Sequence, residues 1–430
     1  MSKPLVLVTA PVETRSGYGN HSRDICRALI ELDKYDVRIN PCRWGSTPLT
    51  ALEDGNPSHD KIRARLLREP KLDRQPDLHV HIVIPPEFNP IGKKNIGITA
   101  GMETTIPQAS WVAGCNKMDL NIFTSNFSAH GHSQASFQAE NGEELKLIKP
   151  WTVLFEGFEE EVYKDIDVFS DGIKDLFSNV TENFNFLFTG HWLAGNMGED
   201  RKDVGMLLKV FLETFKNQKN QPGLILKTSG ADFSIIDREE IVGKIKQIKD
   251  AVNGKLPNIY LIHGDFTDKE MNELYNHPKV KAHITFTHGE GFGRPLLEAC
   301  QSGKPVIAPD WSGQKDFLNP SFATLLPGDL TKASKSAFPK EILLDVDDNK
   351  WFTVNYNYAS QLMKDVVKNY PKYLSKGKQL QYYTKTKFNF TNMKNILDKQ
   401  IDKLLADLPK KVDLKLPKLD KVKLPKLKKD

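Results

Sequence analysis

The chain has 430 residues, 39% hydrophobic and 27% charged, the composition of a globular protein long enough for two cores. It holds no apolar run of about 18 residues, which excludes a membrane-spanning helix from the reading. Its net charge of +5 is concentrated in residues 407–430, which hold nine Lys and four Asp, so the remaining body is charge-balanced and offers no broad face for nucleic acid.

Residues 4–9, PLVLVT, read as a first buried strand and not as a leader, because polar ETRSGYGN follows after only a few apolar positions. The turn SGYGN and a helical pattern over His21–Leu32 come next, then the extended piece DVRIN, which makes a βαβ opening. LHVHIVI (78–84), NIGITA (95–100), LNIFTS (120–125) and PWTVLF (150–155) are further strands among helical or turn-rich pieces. The four cysteines, Cys26, Cys42, Cys115 and Cys300, show neither a CxxC pair nor metal-ligand spacing. They read as free thiols of a reducing compartment, and a cytoplasmic location is the expectation.

The pattern then restarts. FNFLFTG (184–190), GLILKTSG (223–230), NIYLIHG (258–264), VKAHITFT (280–287) and KPVIAP are strands alternating with helical segments such as DVGMLLKVFLETFKNQ and REEIVGKIKQIKDAV. Residues 351–406 are predicted to be helical and amphipathic, most clearly over WFTVNYNYASQLMKDVVKNY and MKNILDKQIDKLLADL. The tail repeats Lys-Leu-Pro-Lys-Leu, with prolines and lysines that oppose a packed core, and is expected to be a flexible extension.

After VKAHITFT the chain reads HGEGFGRPLLEACQSGKP (288–305), a glycine-rich loop predicted to open a helix at Pro295. The unpaired N–H groups and dipole at a helix start suit a phosphate, and Gly291 and Gly293 let the backbone approach a ligand. Glu298 is placed in the first turn of that helix, facing the same cleft as Glu290. Two carboxylates beside a phosphate site suit a ligand that also carries hydroxyl groups, and a diphosphate flanked by sugars is a nucleotide-sugar. The loop is not GxGxxG, and SGKP lacks the spacing of a P-loop, which disfavours dinucleotide binding and triphosphate hydrolysis.

The string GEGFGRPLLEACQSGKPVIA resembles the donor-site signature of GT-B glycosyltransferases, in particular the retaining glycosyltransferase family 4 type, with its two spaced glutamates at Glu290 and Glu298. The likeness is strong over 285–308 and looser over 184–330. In the first half it rests on SGYGNHSR, GMETTIPQASWVAGCNKMDLNIFTSNFS and LFEGFEEEVY. It implies an α/β, GT-B architecture of two Rossmann-like domains facing across a cleft: an acceptor domain over 1–170 and a donor domain over 175–345. C-terminal helices over 346–406 follow, the last packing back on the first domain, and then the basic tail over 407–430.

The resemblance also implies roles. Glu298 binds the ribose hydroxyls of the donor nucleotide, and Glu290, Gly291, Phe292 and Gly293 hold the transferred sugar, with Arg294 beside them. A basic pair neutralises the diphosphate; here Arg201 and Lys202 match, with Lys227 as a further candidate. The family spacing sets the Arg several residues before the Lys, whereas these two are adjacent. Gly17 and Gly19, placed in the loop after the first strand, border the cleft and can touch the diphosphate. Glu103, Thr104 and His130, with His132 close by, are candidate acceptor or sugar contacts.

Fixed cations stabilise the charge that builds on a departing diphosphate, so no essential metal and no cofactor are expected. DID (165–167) and DVDD (345–348) match a metal-binding DxD only formally and read as surface carboxylates. The expected activity is transfer of a hexose-like sugar from a nucleotide-sugar, with retention of anomeric configuration. The alternatives are a phage-type DNA glycosyltransferase acting on hydroxymethyl bases and a catalytically silent nucleotide-sugar binder. Saccharide, lipid-linked glycan and nucleic acid all stay open as acceptor, and the tail is suited to an anionic surface.

Overall fold

The structure is a computed structural model that describes residues 3–69, 71–138, 142–230, 232–338 and 348–406. The basic tail and most of DVDD lie outside the described residues.

Short apolar strands alternating with helices build the first half. In chain order these are β1 (Leu5–Ala10), α1 (Gly17–Glu31), β2 (Asp36–Pro41), α2 (Pro57–Arg63), β3 (Leu78–Ile82), β4 (Lys94–Thr99), α3 (Ala109–Cys115), β5 (Leu120–Phe123) and α4 (Asn126–Gln134). A small antiparallel hairpin, β6 (Ser136–Gln138) with β7 (Glu144–Lys146), precedes β8 (Trp151–Val153). The sheet order is β2-β1-β3-β4-β5-β8, every pairing parallel. Parallel strands are covered on both faces, which is why β1 reads as a nearly unbroken apolar run and why β3 is buried along its whole length, His79 and His81 included.

The second half continues with α5 (Asp171–Ser178), β9 (Asn185–Thr189), α6 (Val204–Phe215), β10 (Gly223–Lys227), α7 (Ile235–Asp250), β11 (Ile259–Ile262), α8 (Asp268–Asn276), β12 (Val280–Ile284), α9 (Arg294–Cys300), β13 (Val306–Pro309) and β14 (Thr324–Leu326). Its sheet, β11-β10-β9-β12-β13-β14, is also parallel and follows the doubly wound Rossmann order. In such sheets a crevice opens beyond the strand ends where the order reverses. That point lies between β1 and β3 in the first sheet and between β9 and β12 in the second. The loops after β9 and β12 carry Arg201, Lys202 and Glu290, so the topology alone brings them together.

The chain ends with β15 (Gly328–Lys332), β16 (Lys350–Val354), α10 (Tyr356–Lys368), α11 (Tyr370–Lys387) and α12 (Phe390–Leu405). Here one expectation fails: residues 351–354 are not helical but pair antiparallel with β15, and the helix starts only at Tyr356. Trp351, Phe352 and Val354 are strand-favouring residues, and the tertiary partner decides: Trp351 stacks on the His288 ring at 4.0 Å, while Phe352 N–H donates to His288 O at 3.1 Å. Helix α12 returns to the first half, where Phe390, Met393, Leu397 and Ile401 join the core of β1, β2 and β3.

Candidate active site

The loop between β12 and α9 is gripped from both sides. A Cβ on Gly291 would stand 2.5 Å from Ala100 O, and one on Gly289 would stand 2.6 Å from Glu103 O, so both positions need glycine to let the two halves meet. Gly293 adopts φ +93 and caps α9. The Phe292 side chain turns away into the second core, 5.1 Å from the Phe317 ring, so this residue offers a ligand only its backbone. Behind the loop, Ser312 is buried at φ +67, a conformation that a non-glycine residue adopts at a cost, and its hydroxyl accepts the Glu290 N–H at 2.9 Å.

Arg201 and Lys202 are adjacent yet point to different halves. Arg201 Nη1 donates to Glu103 Oε1 across the cleft, and Lys202 Nζ donates to Glu290 Oε1 within the second half. The loop that carries them is pinned by His288 N–H donating to Arg201 O at 3.0 Å and by Asp203, which sits in the left-handed region at φ +50. Burial pushes Asp203 up to about 8, and its Oδ2 accepts the Tyr356 hydroxyl at 2.7 Å. Burial also pulls Lys202 down, against the opposing field of Glu290. At this level of the cleft Arg201 and Lys202 are each paired with a carboxylate.

Deeper in the cleft, Arg294 joins the halves: its Nη1 donates to Asp24 Oδ2 on α1 and its Nε to Glu298 Oε1 at 2.7 Å. All three side chains are buried. Desolvation raises Glu298 to about 7 despite Arg294 beside it. Helix α9 starts at Arg294, one residue before the expected Pro295, and Glu298 falls in its second turn and not in the first. That shift is what sets Arg294 and Glu298 one turn apart, where an i,i+4 pair meets.

The other candidates scatter. Gly17 and Gly19 lie in the first turn of α1, not in the preceding loop; Gly19 must lack a Cβ because Thr14 O would be 2.2 Å away, while Gly17 faces open space. Lys227 Nζ donates to Gly264 O at 2.6 Å and lies over the rings of Phe266 and Phe233. His191, which sequence reasoning passed over, is pulled down to about 4 by burial and by the charges of Arg201, Lys202 and Lys227. Thr104 is buried with its hydroxyl turned to Ile106 O of its own loop. His130 is exposed on α4, whereas His132 is buried against Phe123 and Trp111. Asp165 and Asp167 of DID are exposed, the placement of solvated carboxylates.

Sequence reasoning also missed Asp24 and Ser312. For Asp24 a signal existed: a helix that buries Ile25, Ala28 and Leu29 also buries Arg23 and Asp24, and buried charges are paired. For Ser312 none did, since its backbone conformation is set by neighbours distant in the chain.

No protein-family model matches the chain, and no curated protein matches it in sequence. Solved structures do match in shape. The Anabaena protein HepE, in complex with UDP and glucose, superposes with a TM-score of 0.62 at 13% identity, over 93% of this chain and 100% of that one. Sucrose-phosphate synthase from Thermosynechococcus elongatus gives 0.63 at 13% identity, over 94% and 99%. A glycosyltransferase from Rickettsia africae gives 0.61 at 12% identity, over 95% and 100%. At these identities the likeness carries the fold, and the fold is GT-B: two parallel six-stranded sheets with C-terminal helices.

Proposed function

We propose that the protein transfers a sugar from a nucleotide-sugar to an acceptor, with retention of anomeric configuration. The observation that carries this reading is the pair of exchangeable contacts Arg201–Glu103 and Lys202–Glu290 in the cleft. The diphosphate of a nucleotide-sugar entering there takes both cations, because its two adjacent phosphates each accept charge-assisted hydrogen bonds and can engage both side chains at once. The freed Glu290 and Glu103 then accept hydrogen bonds from sugar hydroxyls. When the sugar–phosphate bond breaks, negative charge grows on the diphosphate, where Arg201 and Lys202 already stand and need no reorganisation. Glu298, one turn into α9, takes the ribose hydroxyls. The UDP and UDP-glucose complexes of HepE, which shares the fold, support a donor of this class.

The direct test is mass spectrometry of products after incubation with a panel of nucleotide-sugars, with and without saccharide acceptors. Neither transfer nor donor hydrolysis with any of them would remove the enzymatic reading. Two further results are expected. Glu103→Gln frees Arg201 and should tighten UDP binding about two- to fivefold, the yield of a partly exposed ion pair; unchanged or weaker calorimetric affinity places Arg201 away from the diphosphate. Turnover should survive EDTA, because the two side-chain cations supply the charge that a metal would supply. Loss of turnover restored only by Mn²⁺ or Mg²⁺ would show the opposite.

A further inference from the structure

Strand β16 is tied to both ends of the Arg201–Glu103 ion pair. On the side of the second half, Phe352 N–H donates to His288 O at 3.1 Å, and His288 N–H donates in turn to Arg201 O at 3.0 Å. At its start the same strand meets the loop of the first half that carries Glu103. Thr105 N–H donates to Lys350 O at 2.8 Å, and Lys350 N–H donates to the Thr105 hydroxyl at 3.0 Å. Glu103 stands two residues before Thr105 in that loop.

Asn349, immediately before the strand, is 2% exposed and turns its amide onto the same loop. Its Nδ2 donates to Ile106 O at 2.7 Å. Its Oδ1 accepts the Ile106 N–H and the Thr105 hydroxyl, each at 3.2 Å. One side chain thus takes both backbone groups of Ile106, the pairing that a neighbouring strand would offer. Apolar packing closes around the junction, where Ala333, Ala337 and Trp351 share a cluster with Met102 and Trp111 of the first half. Asn349 O also accepts the Ala333 N–H at 3.0 Å, so the residue is fixed from behind as well.

A carboxylate is placed only as well as the backbone that carries it, and bonds that lock that backbone locate the charge. We propose that Asn349 is a positioning residue of the cleft, which holds Glu103 on Arg201 through the Thr105–Ile106 backbone. This rests on the reading of Arg201 as a cation for the donor diphosphate. Held in place, Glu103 competes with the diphosphate for Arg201, and once displaced it stands ready for a sugar hydroxyl. Asn349 itself acts through Glu103.

Calorimetry with UDP on the full chain tests this as a double-mutant cycle. Asn349→Ala loosens Glu103 and should tighten UDP binding about two- to fivefold, as Glu103→Gln should. Combined in one chain the two gains should not add, because both work by releasing the same cation. A residue that only supported the fold would give effects that add. Thr105→Val strands the Lys350 N–H and removes a donor to Asn349, so it should follow Asn349→Ala, whereas Thr105→Ser keeps the hydroxyl and should follow the wild type. Additive gains, unchanged or weaker UDP affinity in a folded Asn349→Ala, or a Thr105→Ser that behaves as Thr105→Val overturns the assignment. The two readings fail separately. If Glu103→Gln alone leaves UDP affinity unchanged, the placement of Arg201 falls and the positioning role with it. If Glu103→Gln tightens UDP while Asn349→Ala does nothing, only the positioning role falls.

Discussion

Lys202→Ala is expected to lower turnover by about 10²–10³ while leaving the fold intact. The side chain is only 13% exposed and is bonded to Glu290, so it is largely desolvated and aimed before a ligand arrives. Its charge acts most where negative charge grows, on the departing diphosphate, so kcat should fall more than UDP affinity does. The stability cost should be small, because Glu290 keeps some exposure and can be hydrated or protonated once its partner is gone. Steady-state kinetics with the donor that the product survey identifies would check this. A variant with wild-type kcat would place the leaving-group charge on other residues, with Arg201 and Lys227 the first to examine.

Arg294→Leu should show the largest loss of stability, about 3–5 kcal/mol. Its guanidinium bonds Asp24 of one half and Glu298 of the other, with Glu156 in the same field, and no other cation makes an ion pair with these three among the described residues. Leucine fills part of the space but strands the carboxylates in a dry interface. The pH dependence has a definite sign. Stranded carboxylates have folded pKa values raised above their unfolded ones. Such groups keep their full stability contribution below the unfolded pKa and lose it as pH rises through the raised one. The gap between wild type and variant in urea titrations should therefore widen from about pH 5 to about pH 8. A loss below about 1 kcal/mol at neutral pH would mean that the halves are not held together by this triad.

The second sheet was legible because its strands and helices alternate without interruption, and each strand is apolar enough to be buried on both faces. The expected strands at 184–190, 223–230, 258–264 and 280–287 all appear, trimmed at their ends. Boundaries were less secure. Helix α1 starts four residues before the expected His21 because Ser16 caps it, accepting the Gly19 N–H at 3.0 Å. Strand β16 was read as helix because its alternation is short and runs straight into the helical pattern of α10.

Within the site, the sequence by itself pointed to the spaced glutamates and the three glycines of the loop before α9, through glycine spacing, a proline near a helix start and strand-to-loop order, all of which act over a few residues. The adjacent Arg-Lys pair entered only through the resemblance to GT-B glycosyltransferases. Only the tertiary structure decided the partners. That Arg201 reaches Glu103, that Arg294 bridges Asp24 to Glu298 and that Gly291 must clear Ala100 all depend on contacts between the two halves. Ion pairing and desolvation are set by distance in space, and residues about a hundred or more positions apart carry no periodic signal that says they will meet.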